Sequence, residues 1–266
     1  MKNIVNKRGL FCDEYRALGL CEFQKEATII RQLIKIAAEA VSNHTSSDPW
    51  GYDGICHMFA KSIVDYLKMA YDNLLLGHNY ATQMVFRTIV ENSVCLSVIQ
   101  QYKEHELWKY YLIQSFHNSF KIAGAKLTDK QKKDFDELCQ EYGIEEEFLV
   151  KSVKKGSKEP FAYIDKNYGW TYKVNEKFNF SSLCKLANQR EYSDFQLMSM
   201  YSHGTSIYLK VCGFASMDHI MNTLSFFYYN IIKLVSTYCP DNVPPQFYRL
   251  TEDLEDIFDE YIKEFE

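Results

Sequence analysis

Apolar residues recur at three- and four-residue intervals through almost the whole chain, the spacing of one face of an α-helix. The clearest case is 22–42, where Ile29, Ile30, Leu33, Ile34, Ala37, Ala38 and Val41 share a stripe. Strong turn chemistry over 43–53, with Ser46-Ser47-Asp48-Pro49 before Trp50-Gly51, ends that helix. The pattern then predicts helices over about 54–76, stopped by Gly77, over 80–102, and over 104–123, stopped near Gly124. Thr128-Asp129-Lys130-Gln131 has the form of a capping box and opens a charged helix that ends at Gly143. With 145–155 it reads as a polar hairpin. Residues 159–177 are aromatic and irregular, the one place where a short extended segment fits. Further helices follow over about 179–188, 191–211, 216–238 and 247–265, with Pro240, Pro244 and Pro245 separating the last two.

These elements predict an all-α fold, with 1–266 as a single helical domain. Its core spans about 22–125 and 178–240. The polar hairpin of about 126–165 is an insertion, and an acidic helix of about 247–266 closes the chain. No internal repeat, low-complexity tract or linker interrupts the pattern.

Composition adds three constraints. Aromatic residues make up 15% of the chain, so much of the core should pack ring against aliphatic side chain. The formal charge of −5 hides an asymmetry, because 251–266 carry eight acids against Lys263 and the remainder is close to neutral. Whole-molecule charge therefore does not argue for nucleic-acid binding, and the basic run Lys151, Lys154, Lys155 and Lys158 reads as a solvated connection. Eight cysteines are scattered with no Cys-x-x-Cys pair, mostly inside apolar helices, where free thiols pack as small hydrophobes. Met1–Gly9 lacks the apolar segment of a signal peptide, and no run of eighteen apolar residues exists. The expected address is a reducing cytoplasm, away from membranes.

Two constellations could carry chemistry. Within 80–99 the only charged residues are Arg87 and Glu91, four apart and so on one helix face with Met84, Val94, Cys95, Val98 and Tyr102. A guanidinium and a carboxylate placed amid apolar residues are costly unless paired. They read either as an ion pair that fixes packing or as a site. In a site Arg87 would offer a planar fork to phosphate or carboxylate, with Glu91 orienting it or acting as base. The second constellation is Ser199 and His203 in Ser-Met-Tyr-Ser-His-Gly, with Tyr192, Gln196 and Ser206 near the same line. It reads as a solvated helix face or as an acid–base centre, since imidazole titrates near neutrality. Ser199 is not in a nucleophile elbow and suits a hydrogen-bonding role. The other histidines show neither His-x-x-x-His nor Glu-x-x-His spacing. No metal-ligand pattern and no Gly-rich phosphate loop is present, so neither a metal nor another cofactor is expected.

Phe86-Arg87-Thr88-Ile89-Val90-Glu91, Tyr168-Gly169-Trp170, Tyr192 and Ser199-Met-Tyr-Ser-His203-Gly204 together resemble an all-helical bacterial domain family of unknown function. It pairs an Arg-x3-Glu helix with a Ser-x3-His-Gly element, and the resemblance covers roughly 55–235. That pattern is in turn similar to the HEPN superfamily of helical bundles. Many HEPN proteins are metal-independent endoribonucleases of defence and toxin systems that act at a dimer interface. The chain departs from their Arg-x4–6-His signature, since Arg190 lies thirteen residues before His203. Arg87 would then have to supply the guanidinium. The resemblance implies catalytic roles for Arg87, Glu91 and His203, binding roles for Ser199, Tyr192 and Trp170, and a homodimer acting on RNA. Two other readings stay open. The same polar pocket could hold a small anion, nucleotide or protein partner without turnover, or the residues could be purely structural.

Overall fold

A computed structural model describes residues 23–44, 46–76, 78–122, 128–151, 160–187 and 217–263. The stripes read from the sequence become helices α1 (Gln24–Asn43), α2 (Tyr52–Leu75), α3 (Asn79–Gln101), α4 (Leu107–Ile122), α5 (Asp129–Glu141), α6 (Glu146–Leu149), α7 (Phe180–Leu186), α8 (Met217–Tyr238) and α9 (Pro245–Lys263). Among the described residues there is no strand, and the fold is all-α. They divide into two compact units, one of 23–44, 57–93 and 217–263, the other of 46–56 and 94–187.

In the first unit the apolar stripe of α1 is buried, with Ile30, Leu33 and Ala37 fully inaccessible. A Leu or Ile so enclosed stabilises the fold by about 1.5–3 kcal/mol. α1 packs on α8 and α9. Helix directions follow from single contacts. The Tyr71 hydroxyl donates to the Ala27 carbonyl at 2.9 Å, and His44 and His57 both meet Tyr238, so α2 runs against α1. Asn92 bonds Ser62 at 3.0 Å while Thr82 bonds the Ala70 carbonyl, which makes α2 and α3 antiparallel. Gln83 meets Thr223 and Phe86 meets Phe226, so α3 and α8 run the same way. Tyr228 donates to Glu255 and stacks edge-on against Phe258, closing α8 and α9 into a hairpin around Pro240 and Pro245.

The second unit is organised by α4. Tyr110, Phe148, Tyr163 and Tyr172 form a ring cluster with centroids 4.8–5.5 Å apart. The predicted irregular stretch resolves into two 3-10 turns, Tyr163–Asp165 and Gly169–Thr171, rather than an extended segment. Gln114 explains why they hold. Its buried amide donates to the Ile164 carbonyl at 2.9 Å and to the Lys166 carbonyl, and accepts the Trp170 N–H at 3.0 Å. Backbone groups that a sheet would have satisfied are satisfied by one side chain instead.

Thr128 closes the expected capping box with Gln131. The helix expected from 104 instead starts at Leu107, because Lys103–His105 form a 3-10 turn and Glu106 takes φ 49°. The segment 145–155 yields only the single turn Glu146–Leu149 among its described residues. Cys56, Cys95, Cys139, Cys184 and Cys239 are all buried. Among the described residues no helix is long and apolar enough to cross a membrane.

Candidate functional site

α3 forms because its long apolar face is interrupted by neither Gly nor Pro, and its first-unit part locks onto α8 through Phe86. That ring is inaccessible and lies 4.3 Å from Phe226 and 4.8 Å from Phe227, centroid to centroid. Arg87 follows directly, so it turns about 100° off the packed line, and Glu91 sits one turn further along the same edge. Both side chains are half-buried, and the Arg87 Nε is withdrawn from solvent. The face they share is graded rather than uniformly apolar. Met84 is 41% exposed, whereas Val94, Cys95 and Val98 are buried. The pair thus lies at the margin of the core instead of within it, which lowers the cost of keeping both ionised.

Polar groups accompany this edge into the first unit. Thr82, Gln83, Ser93, Thr223 and Asn230 are all buried. Asn92 on α3 donates to Ser62 on α2 at 3.0 Å, and the Gln83 amide on α3 donates to the Thr223 hydroxyl on α8 at 3.5 Å. Such a seam fixes the register of α2, α3 and α8 more tightly than apolar contacts alone, because each displaced partner would leave a buried polar atom unmet.

Of the remaining expected site residues, Trp170 is only 2% exposed. Its ring stands edge-on to Tyr111 at 5.6 Å in the core of the second unit. Tyr192, Ser199 and His203 lie outside the described residues.

Tertiary structure also assembles two groups that no sequence spacing signals. In the first unit the His57 Nδ1 is 3.0 Å from the Tyr238 hydroxyl, and the His44 ring lies 4.7 Å from that of Tyr238. Burial holds His57 below its ordinary value, helped by the nearby charges of His44 and Lys61. It is therefore neutral near pH 7. In the second unit His117 Nε2 lies 3.2 Å from Asp165 Oδ1, which Lys121 also contacts. Burial pushes the Asp165 carboxyl up, but hydrogen bonds from Lys121 and His117 outweigh it and leave it below the usual range. His57 and Tyr238 are 181 residues apart and His117 and Asp165 are 48 apart, so only the folded chain could reveal these contacts. Among the described residues no three His, Cys, Asp or Glu side chains are placed to hold a metal ion.

An all-helical protein with a charged pair at the edge of a polar-seamed bundle is the class that fold and site define. Within that class the chain belongs to a family of unknown function, DUF5677, whose model matches residues 53–216. The match spans Arg87, Glu91 and Trp170 as well as Tyr192, Ser199 and His203. Neither a curated protein nor a solved structure matches the chain significantly.

Proposed function

We propose that the protein is a HEPN-like, metal-independent ribonuclease that works as a homodimer in the cytoplasm. The observation that supports this most is the placement of Arg87 and Glu91, half-buried on one edge of α3 with the guanidinium partly withdrawn from water. A cation so placed interacts with a phosphate more strongly than a fully hydrated one. In this reading His203 removes the ribose 2′-hydroxyl proton, the oxygen attacks phosphorus, and the 5′-oxygen leaves and takes its proton from water. The products are a 2′,3′-cyclic phosphate and a 5′-hydroxyl. Arg87 neutralises the charge that builds on the phosphorane, Glu91 orients Arg87, and Ser199 and Tyr192 bond the substrate. The buried thiols suit a reducing compartment.

Purified protein incubated with mixed RNA in EDTA tests this. Cleavage should fall about 100- to 10,000-fold in His203→Ala and about 100- to 1,000-fold in Arg87→Ala. No cleavage, or cleavage indifferent to His203→Ala, overturns the reading. Light scattering checks the dimer directly.

A second reading, a non-catalytic module that holds a small anion, nucleotide or protein partner at the same edge, is favoured by Met84. That side chain is 41% exposed one turn before Arg87, so the charges open on a surface with an apolar margin. It predicts ligand-dependent thermal stabilisation that is lost in Arg87→Ala, with no turnover.

A further inference from the structure

Along α1 and the facing end of α2 runs an open groove of about 1060 Å³, within the first unit and apart from the Arg87–Glu91 edge. Its α1 wall is built by Thr28, Arg31, Lys35, Glu39 and Ser42, residues that repeat at helical spacing and therefore form one continuous line. Lys68, Tyr71 and Asp72 of α2 close one end. That end is cationic, since Arg31 and Lys35 stand one turn apart on one helix and Lys68 on the other also lines the groove. Arg31 and Asp72 both lie close enough to the Tyr71 hydroxyl to act on it electrostatically. Lys35 meets Glu39 only at 3.9 Å and Lys68 meets Asp65 only at 3.7 Å, with all four side chains more than half exposed. Exposed pairs of this kind contribute about 0–1 kcal/mol, so a better anion can displace them.

Beyond the cations the chemistry changes. Glu39, Ser42 and Asn43 offer hydrogen-bond acceptors and donors above a floor of Ala38 and Ile34. From Arg31 to Asn43 the helix rises about 18 Å. We propose that this groove binds a phosphorylated mono- or disaccharide, its phosphate held by Arg31, Lys35 and Lys68 and its hydroxyls by Glu39, Ser42 and Asn43. Two features select that class. The only aromatic ring lining the groove among the described residues is Tyr71, which is 8% exposed and spends its hydroxyl on Ala27, so a nucleobase finds no face to stack on. Glu39, beyond the cations, repels a second or third consecutive phosphate, so neither an RNA strand nor polyphosphate suits it.

Thermal unfolding of the full chain in glucose 6-phosphate, glucose, inorganic phosphate and AMP at millimolar concentrations tests the assignment. Glucose 6-phosphate should raise Tm by about 2–4 °C, inorganic phosphate by less, and glucose not at all. Arg31→Gln with Lys68→Gln, both on exposed side chains, should abolish the shift while leaving the unliganded Tm unchanged. Glu39→Gln should reduce the shift for the sugar phosphate but not for inorganic phosphate. No shift, an equal shift from inorganic phosphate, a larger one from AMP, or a shift that survives the double substitution overturns the inference. Because it does not rest on ribonuclease activity, loss of RNA cleavage in His203→Ala leaves it untouched.

Discussion

Residue-scale behaviour in this protein is decided by what each side chain touches rather than by its type. Glutamine is mostly a surface residue, yet Gln114 is 3% exposed and holds three backbone groups of the 162–170 segment. Gly169 is required in the same place, because a Cβ there would run into the Tyr163 carbonyl. Gln114→Ala should therefore cost about 2–4 kcal/mol, the cost of leaving several buried polar atoms unmet, and Gly169→Ala should be comparably damaging. Urea unfolding of the two variants checks both, and a change below 0.5 kcal/mol in Gln114→Ala refutes the clamp. The cysteines give a second test. Burial pushes the Cys56 thiol up to about 12 and the Cys139 and Cys239 thiols up to about 11. As thiols rather than thiolates they should stay unlabelled by iodoacetamide at pH 8 in the native protein and label fully after unfolding, read residue by residue by mass spectrometry.

At the scale of elements, the junction where α1 ends, α2 begins and α8 ends is held by Tyr238 between two imidazoles. The folded protein favours neutral His57, so the unfolded chain binds that proton more readily. Stability from this group is complete above about pH 6.5 and is lost as the pH falls below it. His44 and Lys61 act in the same direction, since protonated His57 would stand near both. Melting curves between pH 7.5 and 5.5 should show a decline that His57→Gln flattens, and identical slopes would exclude the junction as its source. The acidic helix α9 is equally specific. Its carboxylates face solvent, while Phe247, Leu250 and Leu254 are buried. Leu254→Ala should cost about 2–5 kcal/mol, whereas Asp253→Asn with Asp256→Asn should change stability by less than about 0.5 kcal/mol. α9 is thus a structural member of the first unit that carries its charge outward.

For the molecule as a whole, the division into two compact units gives the family-matched segment a share of both, because residues 53–216 include 57–93 of the first unit and 94–187 of the second. The stretch expected as an inserted hairpin, about 126–165, falls with α4 and the 3-10 turns in the second unit. Its aromatic cluster and the polar-seamed bundle of the first unit are built on different principles. One is ring against ring around α4, the other long parallel and antiparallel stripes. The aromatic share of the composition announced such packing, but not where it would gather.

Most helix positions among the described residues, the capping box at Thr128, the stops at proline and the acidic outer face of α9 were legible in the sequence, because each is written in residues within a turn or two of one another, while the helix expected over 191–211 lies outside the described residues. Arg87 and Glu91 were found for the same reason, as charges in a local apolar run. Their depth was not, since burial depends on which neighbour covers the face, and Met84 turned out to be exposed where an enclosed stripe was expected. The Gln114 clamp, the imidazoles around Tyr238 and the groove along α1 came only from tertiary structure. Each joins residues distant along the chain, and one-dimensional spacing has no term for contacts that exist only once helices have chosen their partners and directions.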